Sequence, residues 1–265
     1  MNRPKKHLLD LRVTANESAG PGYALLRLTP ADGSALPEML PGQFVNVEVP
    51  KSKHTFLRRP ISVNLVDRTA NELWLLIKNA GEGTASLCAS APGDVFNILL
   101  PLGRGFSLPE KSGESPLLIG GGVGCAPLLY LGQRLRALGC APRFLIGARS
   151  AKDFLQLDSF RALGEVYLTT EDGSEGTRGF VTDHTAMSAT ALRDSGERLY
   201  VCGPLPMMKA VAARAVEAGV RCEVSLENKM ACGLGACLCC VENTKSGNEC
   251  VCTEGPVFPV EHLEW

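Results

Sequence analysis

The sequence predicts a β + α/β protein in three parts. These are an N-terminal six-stranded antiparallel β-barrel over 1–108, a parallel-sheet nucleotide-binding domain over 109–225, and a small cysteine-rich domain over 226–265. Three observations predict it. The first part consists of short apolar runs punctuated by Pro-Gly pairs. The second alternates apolar strand-like runs with helical runs and opens on a cluster of glycines. The third gathers six of the chain's eleven cysteines between Cys232 and Cys252.

In the first part, strands are expected at Leu8–Val13, Ala24–Leu28, Phe44–Val49, Ile61–Val66, Leu73–Ile77 and Asp94–Leu99. Val45, Val47 and Val49 alternate with Asn46 and Glu48, the period of a half-buried strand. Pro21-Gly22, Pro41-Gly42 and Pro92-Gly93 mark turns. Short strands with few helices close most readily into a barrel, which removes exposed sheet edges. A brief helix is expected over Thr84–Cys88. Two stretches have chemical character. Arg58-Arg-Pro-Ile-Ser62 places a planar fork of donors, suited to a pyrophosphate, three residues before a hydroxyl. Gly81-Glu-Gly-Thr84 leaves main-chain N–H groups free at a helix start. Taken singly, Arg59 also reads as a solvated surface arginine and Gly81-Glu-Gly83 as a plain turn.

The second part opens with Leu117-Leu-Ile119 running into Gly120-Gly-Gly-Val-Gly124. A helix follows over Ala126–Leu138, with Leu128, Leu131, Leu135 and Leu138 on its apolar stripe. Next come strand Arg143–Ile146, helix Asp153–Arg161, strand Val166–Thr169 and a helix after Asp183. Strand Leu199–Cys202, helix Leu205–Ala218 and strand Arg221–Ser225 complete it. Such alternation implies a parallel sheet with right-handed crossovers and a ligand at the C-terminal strand ends. The glycine cluster lies at one such end, although Gly122-x-Gly124-x-x-Pro127 departs from G-x-G-x-x-G at its third glycine. Cys202-Gly-Pro204 ends another strand and suits either the approach of a flat ring or a plain turn. Thr170-Glu-Asp-Gly173 reads as a polar turn or a ribose contact. Arg149 and Ser150 read as loop residues or as contacts to an adenosine 2′-phosphate.

In the third part, Cys232, Cys237 and Cys240 have the spacing C-x4-C-x2-C, and Cys252 follows after eleven residues. This is the plant-type ligand pattern of a [2Fe–2S] cluster. Gly233 and Gly235 let the loop turn tightly and bring N–H groups toward sulfur. The pair Cys237 and Cys240 also fits zinc, but Cys250-Val-Cys252 is too tight to form a second such pair. Cys250 competes with Cys252 as fourth ligand, and Cys239 reads as a small buried side chain. A formal net charge of −1 gives no general attraction to nucleic acid or anionic membrane. No apolar run is long enough to cross a bilayer. The basic start, Met1-Asn-Arg-Pro-Lys-Lys-His7, is followed by Asp10 and Arg12 rather than an apolar stretch, so no export signal is expected. An odd number of cysteines without such a signal suits a reducing cytoplasm.

Together the three parts resemble the flavin-dependent ferredoxin reductase superfamily with a C-terminal [2Fe–2S] domain. More narrowly, they resemble the electron-transfer subunits of class B dihydroorotate dehydrogenases. The resemblance covers nearly the whole chain. It lies in Arg59-Pro-Ile-Ser62, Gly83-Thr84, Pro101-Leu-Gly-Arg-Gly-Phe106, Gly120-Gly-Gly-Val-Gly-Cys-Ala-Pro127, Cys202-Gly-Pro204, Met230-Ala-Cys-Gly-Leu-Gly-Ala-Cys237 and Cys252-Thr-Glu-Gly-Pro-Val-Phe258. The last of these favours Cys252 over Cys250. Ile61 stands where the superfamily usually has an aromatic residue, as in the dihydroorotate subunits, and Leu238 where the family often has one.

The resemblance implies one FAD and one [2Fe–2S] cluster per subunit, with NAD as electron acceptor. FAD would contact Arg59 through its phosphates, Pro60, Ile61, and Ser62 near the isoalloxazine. Leu76, Ile77 and Lys78 would line the flavin through their main chain, and Gly83 and Thr84 would hold its pyrophosphate. Gly121, Gly122, Cys202, Gly203 and Pro204 would position NAD, and Cys232, Cys237, Cys240 and Cys252 would ligate iron. No catalytic side chain is assigned. The implied role is an oxidoreductase subunit in pyrimidine (UMP) biosynthesis. It would pass electrons from the FMN of a separate catalytic dihydroorotate dehydrogenase subunit to NAD, in a heterotetramer of two of each. Two alternatives stand beside it: a reductase subunit of a ferredoxin–NADP or sulfide-linked flavoenzyme complex, and a zinc-stabilised binding module.

Overall fold

The computed structural model describes residues 5–50, 54–110, 112–195 and 197–265, so the start of the basic N-terminal stretch, 1–4, lies outside the described residues. The first part comprises β1 (His7–Gly20), β2 (Tyr23–Pro30), β3 (Phe44–Val47), β4 (Arg59–Ser62), β5 (Leu65–Asp67), β6 (Glu72–Lys78), α1 (Glu82–Cys88) and β7 (Val95–Leu102). Its seven strands pair antiparallel in the order β4-β3-β7-β1-β2-β6-β5. The strands at the two ends of that order, β4 and β5, are joined by only Val63 and Asn64. The sheet must therefore curl round and close.

This closure corrects the expected six strands to seven. The run Ile61–Val66 is two strands because the chain changes neighbour in its middle. Val63 N donates to Gln43 O at 3.0 Å, on the β3 side, and Asn64 N donates to Trp74 O at 3.0 Å, on β6. The barrel interior holds Leu11, Leu28, Val45, Val63, Leu73, Ile98 and Leu100, all at 0% exposure. Burying each such side chain contributes roughly 1.5–3 kcal/mol. Val45 and Val47 face inward as the alternation predicts. Asn46 is buried as well, at 0% exposure, because the third part covers the outer face of β3.

The second part comprises β8 (Leu117–Gly121), α2 (Ala126–Ala137), β9 (Arg143–Ala148), α3 (Leu157–Arg161), β10 (Glu165–Thr170), β11 (Thr177–Arg178), α4 (Ala189–Ser195), β12 (Leu199–Cys202), α5 (Leu205–Ala218) and β13 (Cys222–Ser225). Its strands run parallel in the order β11-β10-β9-β8-β12-β13. The order reverses between β8 and β12, which leaves a crevice beyond their C-terminal ends. Three stripe residues of α2, Leu128, Leu131 and Leu135, are buried, while Leu138 lies past the helix end and is exposed. The expected helix Asp153–Arg161 is shorter. Ser150 and Asp153 close a separate 3-10 turn, and Gln156 is left-handed, with φ of 54°.

The third part adds β14 (Val241–Thr244) and β15 (Gly247–Cys250), a two-stranded hairpin, and then β16 (Val257–Pro259). β16 pairs antiparallel with β13, so the end of the chain completes the second sheet. The third part also reaches the barrel: Arg104 N donates to Gly255 O, and Arg104 pairs with Glu254. The barrel joins the second part through Tyr130, which donates to Met39 O at 3.0 Å, and Tyr200, which donates to Ser107 O at 2.6 Å.

Asn64 forms the most buried of these joints. Its Nδ2 donates to Ala126 O at 2.9 Å and to Gln156 Oε1 at 3.0 Å. Asn64→Ala strands both acceptors inside the protein, and a loss of about 1–3 kcal/mol is expected, measured as a lower urea midpoint with unchanged slope.

Candidate redox site

The thiol loop is shaped by left-handed backbone at Gly233 and Gly235, with φ of 68° and 82°. That conformation points N–H groups at sulfur. Leu234 N donates to Cys232 Sγ at 3.3 Å, and Cys252 N to Cys240 Sγ at 3.4 Å. Burial opposes ionisation of Cys232, but the N–H groups of Leu234, Cys237 and Ala236 outweigh it and bring its pKa down to about 6. Cys252 is pushed up to about 12 by burial and by the neighbouring Cys240 thiol.

The predicted ligands fall into two couples, Cys232 with Cys237 and Cys240 with Cys252. A [2Fe–2S] core, with two thiolates on each iron, asks for two couples. Four thiols in two couples are the donor set that such a core takes. Cys250 stands beside the second couple, against Cys240, with its Sγ 3.9 Å from Gly235 O. Cys239 is exposed, which corrects its reading as a buried side chain. Leu238 just before it is left-handed, with φ of 56°, and both side chains are turned to solvent.

On the barrel, Arg59 and Gly83 meet as expected. A Cβ on Gly83 would lie 2.6 Å from Arg59 Nε, so only glycine leaves the guanidinium its place. Arg59 Nη1 donates to Leu57 O at 2.9 Å and, among the described residues, pairs with no carboxylate. Arg58 is spent on structure, donating to Asn97 O and Asn97 Oδ1 at 2.6 Å each. Pro60, Ile61 and Ser62 are half-buried on β4. Pairing of β5 with β6 ends at Trp74, so the main chain of Leu76, Ile77 and Lys78 continues past it without a strand on that side. Thr84 differs from expectation: its hydroxyl donates to Gly81 O at 3.0 Å and accepts from Ala80 N and Gly81 N, capping its own helix.

A cleft of about 560 Å³ lies at the strand-order reversal. Gly121, Gly122 and Pro204 line it, with Tyr23 and Lys78 from the barrel. A Cβ on Gly124 would lie 2.5 Å from Gly203 Cα, so the two turns pack backbone to backbone. The Cys202 thiol is buried, at 1% exposure, and its pKa is raised by that burial, so it is not presented to a ligand. The Thr169 hydroxyl has no hydrogen-bond partner among the described residues and belongs to the cleft wall, where a bound dinucleotide would supply one. Arg149, Asp153, Glu171 and Phe180 also line the cleft. Ser150 is not open to a phosphate, because its hydroxyl donates to Asp153 Oδ2 at 2.6 Å. Sequence reasoning missed Tyr23, Asp153, Thr169 and Phe180. The one available signal was Phe180, an aromatic following a glycine in a polar stretch.

The comparisons with known proteins agree with this geometry. Residues 227–264 match the family described as the iron–sulfur cluster binding domain of dihydroorotate dehydrogenase B, and residues 118–213 match the oxidoreductase NAD-binding domain. The chain is 42% identical over 225 residues to the dihydroorotate dehydrogenase B (NAD(+)) electron transfer subunit of Shouchella clausii, covering 83% of this chain and 85% of that protein. Against the subunit of the same name from Bacillus cereus strain B4264, identity is 40% over the same shares. The chain belongs to the dihydroorotate dehydrogenase B electron transfer subunits.

Among solved structures, the NADH-dependent reduced ferredoxin–NADP oxidoreductase studied for flavin-based electron bifurcation superposes with a TM-score of 0.84 at 26% identity. It covers 96% of this chain and 90% of that one. The ferredoxin reductase of carbazole 1,9a-dioxygenase shares the fold, with a TM-score of 0.68 at 19% identity over 81% of this chain and 67% of that one.

Three measurements test the subunit's site. Cys252→Ser is expected to lose most of its iron and Cys239→Ser to keep it, by iron and sulfide assay. In iron-free protein at pH 7, iodoacetamide should alkylate Cys232 well ahead of Cys252, with the Cys232 rate falling as pH drops through about 6. Phe180→Ala should weaken NADH binding about three- to tenfold if the ring stacks on the base, read by titration of the oxidised protein.

Proposed function

We propose that this chain takes electrons released when a separate FMN-containing subunit oxidises dihydroorotate, and delivers them to NAD+ through a [2Fe–2S] cluster and FAD. The division of labour would be a flavin-binding barrel over 1–108, a nucleotide domain over 109–225 and a cluster-binding segment over 226–265. When bound, the flavin supplies the exchange between one-electron transfer with the cluster and hydride transfer with NAD.

One observation carries the reading. The same barrel supplies Tyr23 and Lys78 to the nucleotide cleft and Asn46 to the thiol loop. A group held on the barrel is thereby within reach of both. The chain's own residues do the holding. Arg59 and Gly83 would receive the flavin pyrophosphate, Ser62 would face the ring, and the main chain of Leu76–Lys78 would run along it. Thr84 would act through the main chain of its turn, since its hydroxyl is engaged. Gly121, Gly122, Gly203 and Pro204 would seat NAD, with Cys202 only shaping the turn. Cys232, Cys237, Cys240 and Cys252 would hold the cluster, with loop N–H groups already directed at the sulfurs of Cys232 and Cys240.

The partner would dock where the cluster lies nearest solvent. Leu234 and Leu238 are 48% and 64% exposed beside the ligands. Met230, in the same stretch, packs against the core. A heterotetramer of two catalytic and two electron-transfer subunits is the proposed assembly. Among the described residues no helix is long and apolar enough to cross a membrane. A reducing cytoplasm is the proposed location.

The isolated chain is expected to reduce artificial acceptors with NADH and to leave dihydroorotate unoxidised; oxidation of dihydroorotate by the chain alone overturns the subunit assignment. Leu234→Asp should weaken the complex with the catalytic subunit about thirtyfold, the ~2 kcal/mol of an interfacial anchor, by size exclusion and titration. An unchanged complex removes this docking edge.

A further inference from the structure

Asn46 is fully buried on β3, at 0% exposure. Register sets it opposite Pro60, and Phe44 opposite Ser62, so these four side chains share one face of the β3–β4 pair. Val45 and Val47, on the other face, fill the barrel. The face bearing Asn46 is covered by the thiol loop. Its Nδ2 donates to Ala231 O at 3.4 Å, and a Cβ on Gly233 would lie 3.1 Å from the same nitrogen. Cys232 is the residue between these two contacts.

The other end of the amide is unsatisfied: Asn46 Oδ1 is buried and has no hydrogen-bond partner among the described residues. Arg58 Nη1 reaches only the main-chain oxygen of Asn46, at 3.4 Å. A half-satisfied buried amide weakens a fold. A leucine of similar size would fill the position without that loss, so stability alone favours an apolar residue. What asparagine adds is a dipole. Its positive N–H end is directed at the loop bearing Cys232, and it stands on the face shared with Pro60 and Ser62.

We propose that Asn46 is a positioning residue for electron exchange between flavin and cluster, seating Ala231–Gly233 against β3 through its Nδ2–H on Ala231 O, one residue before the first ligand. The inference rests on the assignment of Cys232 to iron and of β4 to FAD. The reduced cluster carries one more negative charge than the oxidised one, and a nearby N–H dipole favours it. Hydrogen bonds and local charge set cluster potentials.

The test uses the full chain carrying FAD and cluster, as native protein, Asn46→Leu and Asn46→Asp. The cluster potential is titrated by electron paramagnetic resonance. Its reduction after mixing with NADH is followed alongside flavin reduction in the same trace. The expected order of potentials is native highest, Leu lower and Asp lowest, since Asp replaces the N–H with a negative charge in nearly the same shape. Cluster reduction should slow about tenfold relative to flavin reduction, as for a misplaced reaction partner. A purely structural role predicts that Leu and Asp, neither able to donate to Ala231 O, shift the potential alike and show no such order. Native potential and native relative rate in variants that retain iron overturn the proposal. If Asn46→Leu does not fold, Asn46→Asp alone decides it. A native protein without cluster or flavin signal overturns the functional reading itself, and this proposal with it.

Discussion

The arrangement depends on one buried amide at the place where the barrel closes. Asn64 is the second of the two residues joining β4 to β5, and its position is forced by the change of partner from β3 to β6. With its main chain committed to Trp74, its side chain points out of the barrel and meets Ala126 O at the start of α2 and Gln156 ahead of α3. The strand that bears Arg59 and Ser62 is thus tied to the helix that follows Gly121 and Gly122. A flavin on one and a dinucleotide on the other would be held in register by a joint that neither ligand touches.

The thiol loop obeys a different constraint. Its leucines, Leu234 and Leu238, face solvent, so its geometry comes from main-chain N–H groups aimed at sulfur and from what it rests on. Two barrel strands support it: Asn46 on β3 under Ala231, and Arg104, just beyond β7, against Glu254 and Gly255. The first ligand couple and the last ligand's segment are therefore braced by neighbouring strands of one sheet.

Local chemistry was legible in the sequence. The cysteine spacing, the glycine cluster before α2 and most strand positions depend on residues close in the chain, where spacing determines geometry. Long-range contacts were not. Asn46 reads as the polar half of an alternating strand, and nothing nearby announces that the third part covers it. The split of Ile61–Val66 depends on carbonyls of Gln43 and Trp74. Tyr23, Asp153, Thr169 and Phe180 come from separate elements and become one wall only when the sheet forms. Thr84 shows the converse: the motif is present, yet the hydroxyl is engaged by its own turn.

The last strand, β16, gives the cluster segment a second consequence. Because it pairs with β13, the nucleotide sheet is completed only by residues that follow all eleven cysteines in the sequence. A chain cut between Cys252 and Val257 would keep every one of those thiols and still present β13 as a bare edge, an invitation to pairing between molecules. The thiol segment and the closing strand of the nucleotide sheet are thus one continuous stretch of polypeptide.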